Sequence, residues 1–167
     1  MSKMWATGIL SLWLVGAGCG KGEPATGPTP TKETAAPSGG PAKPAPTLIG
    51  AYDTLREALA SDDLKAGAAA AAKLADVAAA KYPSIADQAK GAASAADLDA
   101  MRRQFGEVSK AMIEAAVKEP ALAEGLVTYR CPMAEGYKKW VQLGPPMRNP
   151  YMGQKMLECG SKVDLTP

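Results

Sequence analysis

The chain has 167 residues, a formal net charge of +2 and no histidine. Without imidazole, Ser-His-Asp and Cys-His catalysis, histidine zinc sites and histidine proton relays are excluded. The near-balanced charge, with no Arg/Lys cluster interleaved with aromatic residues, argues against nucleic acid as a partner.

Residues 1–18 read as a secretory signal of the lipoprotein type. Lys3 gives the basic start, and an apolar run from Met4 ends in small residues at Gly18. That run holds about 15 apolar residues, short of the roughly 20 that a membrane span needs. Val15-Gly16-Ala17-Gly18-Cys19 resembles the lipobox of bacterial lipoproteins. The resemblance implies cleavage before Cys19 and lipidation of that cysteine; ordinary secretory cleavage near Ala17 is the alternative. Gly20 stands where an inner-membrane retention signal has aspartate. By resemblance to enterobacterial sorting, the destination is the cell envelope, as an outer-membrane lipoprotein facing the periplasm.

Residues 19–47 join the anchor cysteine to a linker. Residues 20–47 hold seven of the fourteen prolines and no large apolar side chain. Such a stretch cannot bury enough surface to offset its ordering entropy, so it is expected to stay disordered and extended. In polyproline geometry it would reach on the order of 80 Å.

Residues 48–167 then form one domain, long enough for a single core. Leu48, Ile49, Tyr52, Leu55 and Leu59 recur at helical spacing. Ser61-Asp62-Asp63 breaks this first helix and offers N-caps to a second over 63–80, where alanine fills most positions and neighbours must approach closely. Tyr82-Pro83 stops it. A shorter helix over 84–93 follows, and Ser94-Ala-Ala-Asp97 opens a fourth like a capping box. There Leu98, Met101, Phe105, Val108 and Met112 form a seam of core residues, and Glu119-Pro120 closes it. The adjacent Asp62 and Asp63 do not face each other on a helix, so caps explain them better than an acid/base pair.

After Pro120 the texture changes. Residues 126–131 are β-branched and aromatic and suit an extended strand, with 137–142 able to pair as a small hairpin. In an extended Cys131-Pro132-Met133 both sulfurs lie on one side. Asn149 reads as an N-cap with Pro150 at the first helical position, and Gly160 as the residue past that helix's end. Met152, Met156 and Cys159 would then form one stripe. The expected fold class is therefore all-α: a three- to four-helix up-down bundle with a small irregular or hairpin-containing sulfur-rich C-terminal segment. Half of the eight methionines and two of the three cysteines fall in the last 37 residues.

The pattern Tyr129-x-Cys131-Pro132-Met133-Ala134 … Gly136 … Trp140 … Arg148-Asn149-Pro150-Tyr151-x-Gly153-x-x-Met156-x-x-Cys159-Gly160 resembles the signature of a bacterial envelope family. Its members are small helical domains of undefined function. They occur as stand-alone exported proteins and as extensions of periplasmic adaptor subunits in copper/silver efflux systems. The resemblance covers residues 48–160 and implies copper or silver handling, with such an adaptor as a partner. This chain lacks the adaptor portions themselves.

Two readings of the sulfur cluster stand side by side. With Cys19 lipidated, Cys131 and Cys159 are an even pair, which in an oxidising compartment points to a disulfide worth roughly 3–4 kcal/mol on the chain-entropy model. The methionines would then be gap-filling core. Alternatively, Cys131, Met133, Met156 and Cys159 ligate Cu(I) or Ag(I), ions that choose soft sulfur. Met152 and Met147 would be further ligands, and Trp140 would cap the cation with its ring face. The two states could interconvert, giving a redox-gated metal site. A protein-interaction or scaffold module docking through apolar faces is a further possibility. No nucleophile has a recognisable base, and Cys131-Pro132-Met133 lacks the second cysteine of a redox motif, so an enzyme is not expected.

Overall fold

The computed structural model describes residues 47–167. The signal, Cys19 and residues 20–46 of the linker lie outside the described residues. Thr47, placed at the end of the linker by sequence, is instead the N-cap of the first helix: its hydroxyl accepts from Gly50 N at 3.0 Å.

Four helices come first: α1 Leu48–Ala60, α2 Leu64–Ala78, α3 Pro83–Ala93 and α4 Leu98–Lys118. Each neighbour in sequence is a neighbour in space, α1 on α2, α2 on α3 and α3 on α4. Asp63 caps α2 and Asp97 caps α4, their carboxylates accepting from Ala66 N at 2.8 Å and Ala100 N at 2.7 Å. Ser94 does not cap α4; its hydroxyl donates to the last carbonyls of α3, those of Lys90 and Gly91. The alanines of α2 do what their size allows. Ala70, Ala71, Ala75 and Ala78 are buried, and at Gly67 a Cβ would come within 2.6 Å of Met101 Sδ. Met101, Phe105, Val108 and Met112 of α4 are completely buried.

The all-α expectation is overturned by a three-stranded antiparallel sheet. Strands β1 Leu126–Arg130, β2 Lys139–Leu143 and β3 Ser161–Val163 lie in the order β2-β1-β3. The fold is mixed, four helices and one sheet. The hairpin's second strand begins two residues later than the sequence suggests, pairing Tyr129 with Trp140 and Arg130 with Lys139. The third strand pairs Thr128 with Val163 and Arg130 with Ser161.

A second correction concerns the segment after Asn149. No α-helix runs from Asn149 to Gly160; the segment is a set of turns around a short 3₁₀ stretch, Gly153–Met156. The reason is local. Asn149 Oδ1 accepts from Tyr151 N and Met152 N, closing an Asx turn, and Gly153 sits at φ +58°. A positive φ cannot continue a right-handed helix, so Met152, Met156 and Cys159 do not share a helical stripe.

Two polar devices join this turn segment and the sheet to the helices. Asp62, at φ +58°, pairs with Arg102 and accepts from Gln154 N at 3.0 Å. Arg102 also donates to the carbonyls of Leu59 and Pro150. The outer edge of β2 is met by hydroxyls. Lys139 O accepts from Ser109 Oγ at 3.0 Å and Tyr151 Oη at 2.7 Å, and Val141 N donates to Tyr52 Oη at 3.4 Å. Tyr52 and Ser109 are themselves 2.7 Å apart and buried. Two of the edge strand's outward polar groups are thus satisfied without another strand. On the ring side, Tyr52 stacks on Phe105, Phe105 meets Tyr151 edge-on, and Tyr151 meets Trp140 edge-on.

Candidate functional site

The sulfur-bearing residues converge through the sheet rather than through a helix. Cys131 follows β1, and its N–H donates to Lys138 O at 3.0 Å, closing the β1–β2 hairpin. Cys159 ends a turn in which its N–H donates to Met156 O at 3.1 Å, and two residues later β3 begins opposite Arg130. The β1–β3 register therefore brings the two cysteines side by side. Their sulfurs are 3.8 Å apart and both thiols are free. Cys131 is completely buried, while Cys159 is partly exposed.

Asn149 holds the second cysteine in place. Its side chain is wholly buried, its amide donates to Cys159 O, and its backbone N–H donates to Leu157 O at 2.7 Å. One residue thus closes both ends of the turn segment. Gly160, at φ +153°, lets the chain pass the sheet closely. A Cβ there would lie 3.0 Å from Arg130 O, 3.1 Å from Trp140 Cη2 and 3.2 Å from Met147 Sδ. The thioether of Met147 and the ring of Trp140 therefore border the residue next to Cys159. Trp140 is completely buried, stacks on Tyr129 at 5.4 Å and donates from Nε1 to Gln142 Oε1 at 3.2 Å.

The other sulfurs are distributed differently from the sequence expectation. Met133 is 63% exposed and Met156 is 39% exposed, both outside the core. Met133 sits in a turn in which Ala134 N donates to Cys131 O at 3.4 Å. It lines, with Met152, Tyr151, Asp99, Arg102 and Arg103, an open cleft of about 290 Å³. Of the four sulfurs first assigned to a shared site, the structure shows contact between the two thiols. Met147, assigned a supporting place, brings its thioether against Gly160, the residue after Cys159. Among the described residues no three of His, Cys, Asp or Glu converge.

The Cys159 thiol is raised above its ordinary value, first by burial and then by the hydrogen bond and charge of Cys131. Two thiolates in contact repel, so ionising both requires compensation: a cation between them, or loss of both charges in a sulfur–sulfur bond. The donor set fits a soft ion, since metal–sulfur bonds of about 2.3 Å let one ion touch two sulfurs at this spacing. It equally fits a disulfide, which needs the sulfurs to close to about 2.05 Å.

Sequence reasoning missed Asn149 as a cradle, Asp62 as an anchor and Gly160 as a close approach. The signal for the last two was available in kind. A second aspartate beyond the one needed as a cap, and a glycine flanking a cysteine, each ask for a separate explanation. Comparison with known proteins finds no family model, no curated protein and no solved structure that matches this chain.

Proposed function

We propose that this is a soft-metal-binding domain of the cell envelope, tethered by lipid at Cys19, that holds Cu(I) or Ag(I) through Cys131 and Cys159. The observation that carries the reading is the contact between two free thiols at 3.8 Å, with Met147 Sδ beside the same turn. Thiolate and thioether together select soft monovalent ions over zinc or magnesium. The resemblance to domains attached to copper/silver efflux adaptors supports the same ion and suggests such an adaptor as the partner. Binding rather than catalysis is the role assigned.

Titration of the reduced protein with Cu(I) against a competing chelator tests it. Met147→Leu, which conserves volume, is expected to weaken binding about tenfold or more, while Met133→Leu leaves it unchanged. Affinity no better than that of the double Cys→Ser variant ends the metal reading. The anchor is checked separately: Cys19→Ala should shift the protein from the membrane fraction to the soluble one. A wild type that is already soluble refutes lipidation.

A second reading rests on the complete burial of Cys131 and its position where β1 meets the approach to β3. There a disulfide would staple the sheet of an interaction or scaffold domain. Cys131→Ser would then cost roughly 2–5 kcal/mol and the methionine changes would be silent.

A further inference from the structure

The two cysteines differ in their access to solvent. Cys131 Sγ is sealed among the core, in the same buried cluster as Tyr129, Ala134 and Trp140. Cys159 only packs against that cluster from outside and keeps part of its surface in solvent. Exchange with a disulfide requires a thiolate to reach a sulfur of its partner, so access decides which cysteine reacts first. Contact at 3.8 Å then decides which reacts second.

We propose that Cys159 is an exchange site for an external organic disulfide, R–S–S–R, and that Cys131 is its resolving thiol. In the first step Cys159 gives its proton to solvent and its thiolate attacks one sulfur of the disulfide. The S–S bond breaks, and one R–S⁻ leaves and is protonated to R–SH. Cys159 is left as a mixed disulfide. In the second step Cys131 loses its proton and attacks Cys159 Sγ, the bond from Cys159 to the R–S group breaks, and a second R–S⁻ leaves. The protein loses two protons and two electrons, and the external disulfide becomes two thiols. Reversal needs a thiolate to attack at Cys159 Sγ, the only one of the two sulfurs with solvent access. The sulfur pair is therefore opened and closed from one side, and an oxidised pair has no thiolate to offer an ion.

The exchange order rests on accessibility and contact alone, so it stands apart from the metal reading: a failed Cu(I) titration leaves it intact. The test begins with the full, reduced wild-type protein given a brief pulse of iodoacetamide under native conditions. Peptide mapping separates Cys131, Cys159 and Cys19. Cys159 is expected to be alkylated about tenfold faster than Cys131 or more. With glutathione disulfide as the probe, the wild type should end two hydrogens lighter with no adduct retained on Cys131 or Cys159. Cys131→Ser should accumulate a stable glutathione adduct on Cys159, and Cys159→Ser should leave Cys131 unmodified until the protein is unfolded. Equal or reversed alkylation rates in the wild type overturn the proposal, whatever the variants do. So does a wild type that keeps the glutathione adduct on Cys159 without forming the internal bond.

Discussion

Asn149 does the most with the fewest atoms. Its buried carboxamide accepts from Tyr151 N and Met152 N and donates to Cys159 O. Asn149→Ala removes the partner of one buried and two part-buried groups at once, so a loss of about 2 kcal/mol or more is expected in urea denaturation. Asn149→Asp keeps the two acceptor contacts and loses the donor to Cys159 O. Its buried charge and the repulsion between a carboxylate oxygen and Cys159 O should destabilise as well, and should shift the reduction potential of the cysteine pair through the carbonyl next to the partly exposed thiol. A potential unchanged by Asn149→Asp would show that Asn149 shapes the turn without setting the sulfur geometry. In sequence, Asn149-Pro150 carried only half of this. An asparagine whose side chain accepts from N–H groups two and three residues on is the common start of both a helix and an Asx turn, and the next residues decide which.

At the scale of elements, that decision falls to Gly153. Its φ of +58° turns the chain, and a Cβ there would fall on the Asp62 carboxylate and Arg102. Gly153→Ala is expected to cost more than about 1 kcal/mol and to loosen the Asp62–Arg102 pair, read as faster amide exchange at Gln154. Stability within a few tenths of wild type would mean that the turn relaxes freely. The helices were legible because three- and four-residue spacing of Leu, Tyr, Phe and Met leaves little alternative over ten residues or more. β3 was not: three residues, Ser161–Val163, carry no alternation, and only pairing with β1 makes them a strand. The proximity of Cys131 and Cys159 was anticipated, but from a helical stripe that does not exist. Strand register delivers it. Met156 was placed at the centre by that stripe and Met133 by an extended Cys131-Pro132-Met133; the chain turns at both places, and both methionines are exposed.

At the scale of the molecule, the tyrosines that join sheet to helices also set its alkaline limit. Burial raises Tyr52 far above its ordinary value near 10, against the opposing hydrogen bonds from Ser109 and Val141, and burial raises Tyr151 likewise. Both stay protonated in the fold, whereas the unfolded chain ionises them from about pH 10 upward. Their contribution is complete below that pH and is lost as pH rises toward the folded values. The urea midpoint should fall between pH 9 and pH 11 with a slope reduced in Tyr151→Phe; a flat profile would refute this coupling. The hydroxyl-capped edge of β2 has one more consequence. Three hydroxyls, from α1, α4 and the turn segment, stand where a neighbouring strand would pair. A fragment holding every sulfur of the site, cut after α4, would lose two of them and present a bare strand edge to its own copies. Transplanting the cysteine-methionine signature into another protein would thus carry over an association surface together with the thiols. The four helices act as the sheet's insulation, and the site is portable only with them attached.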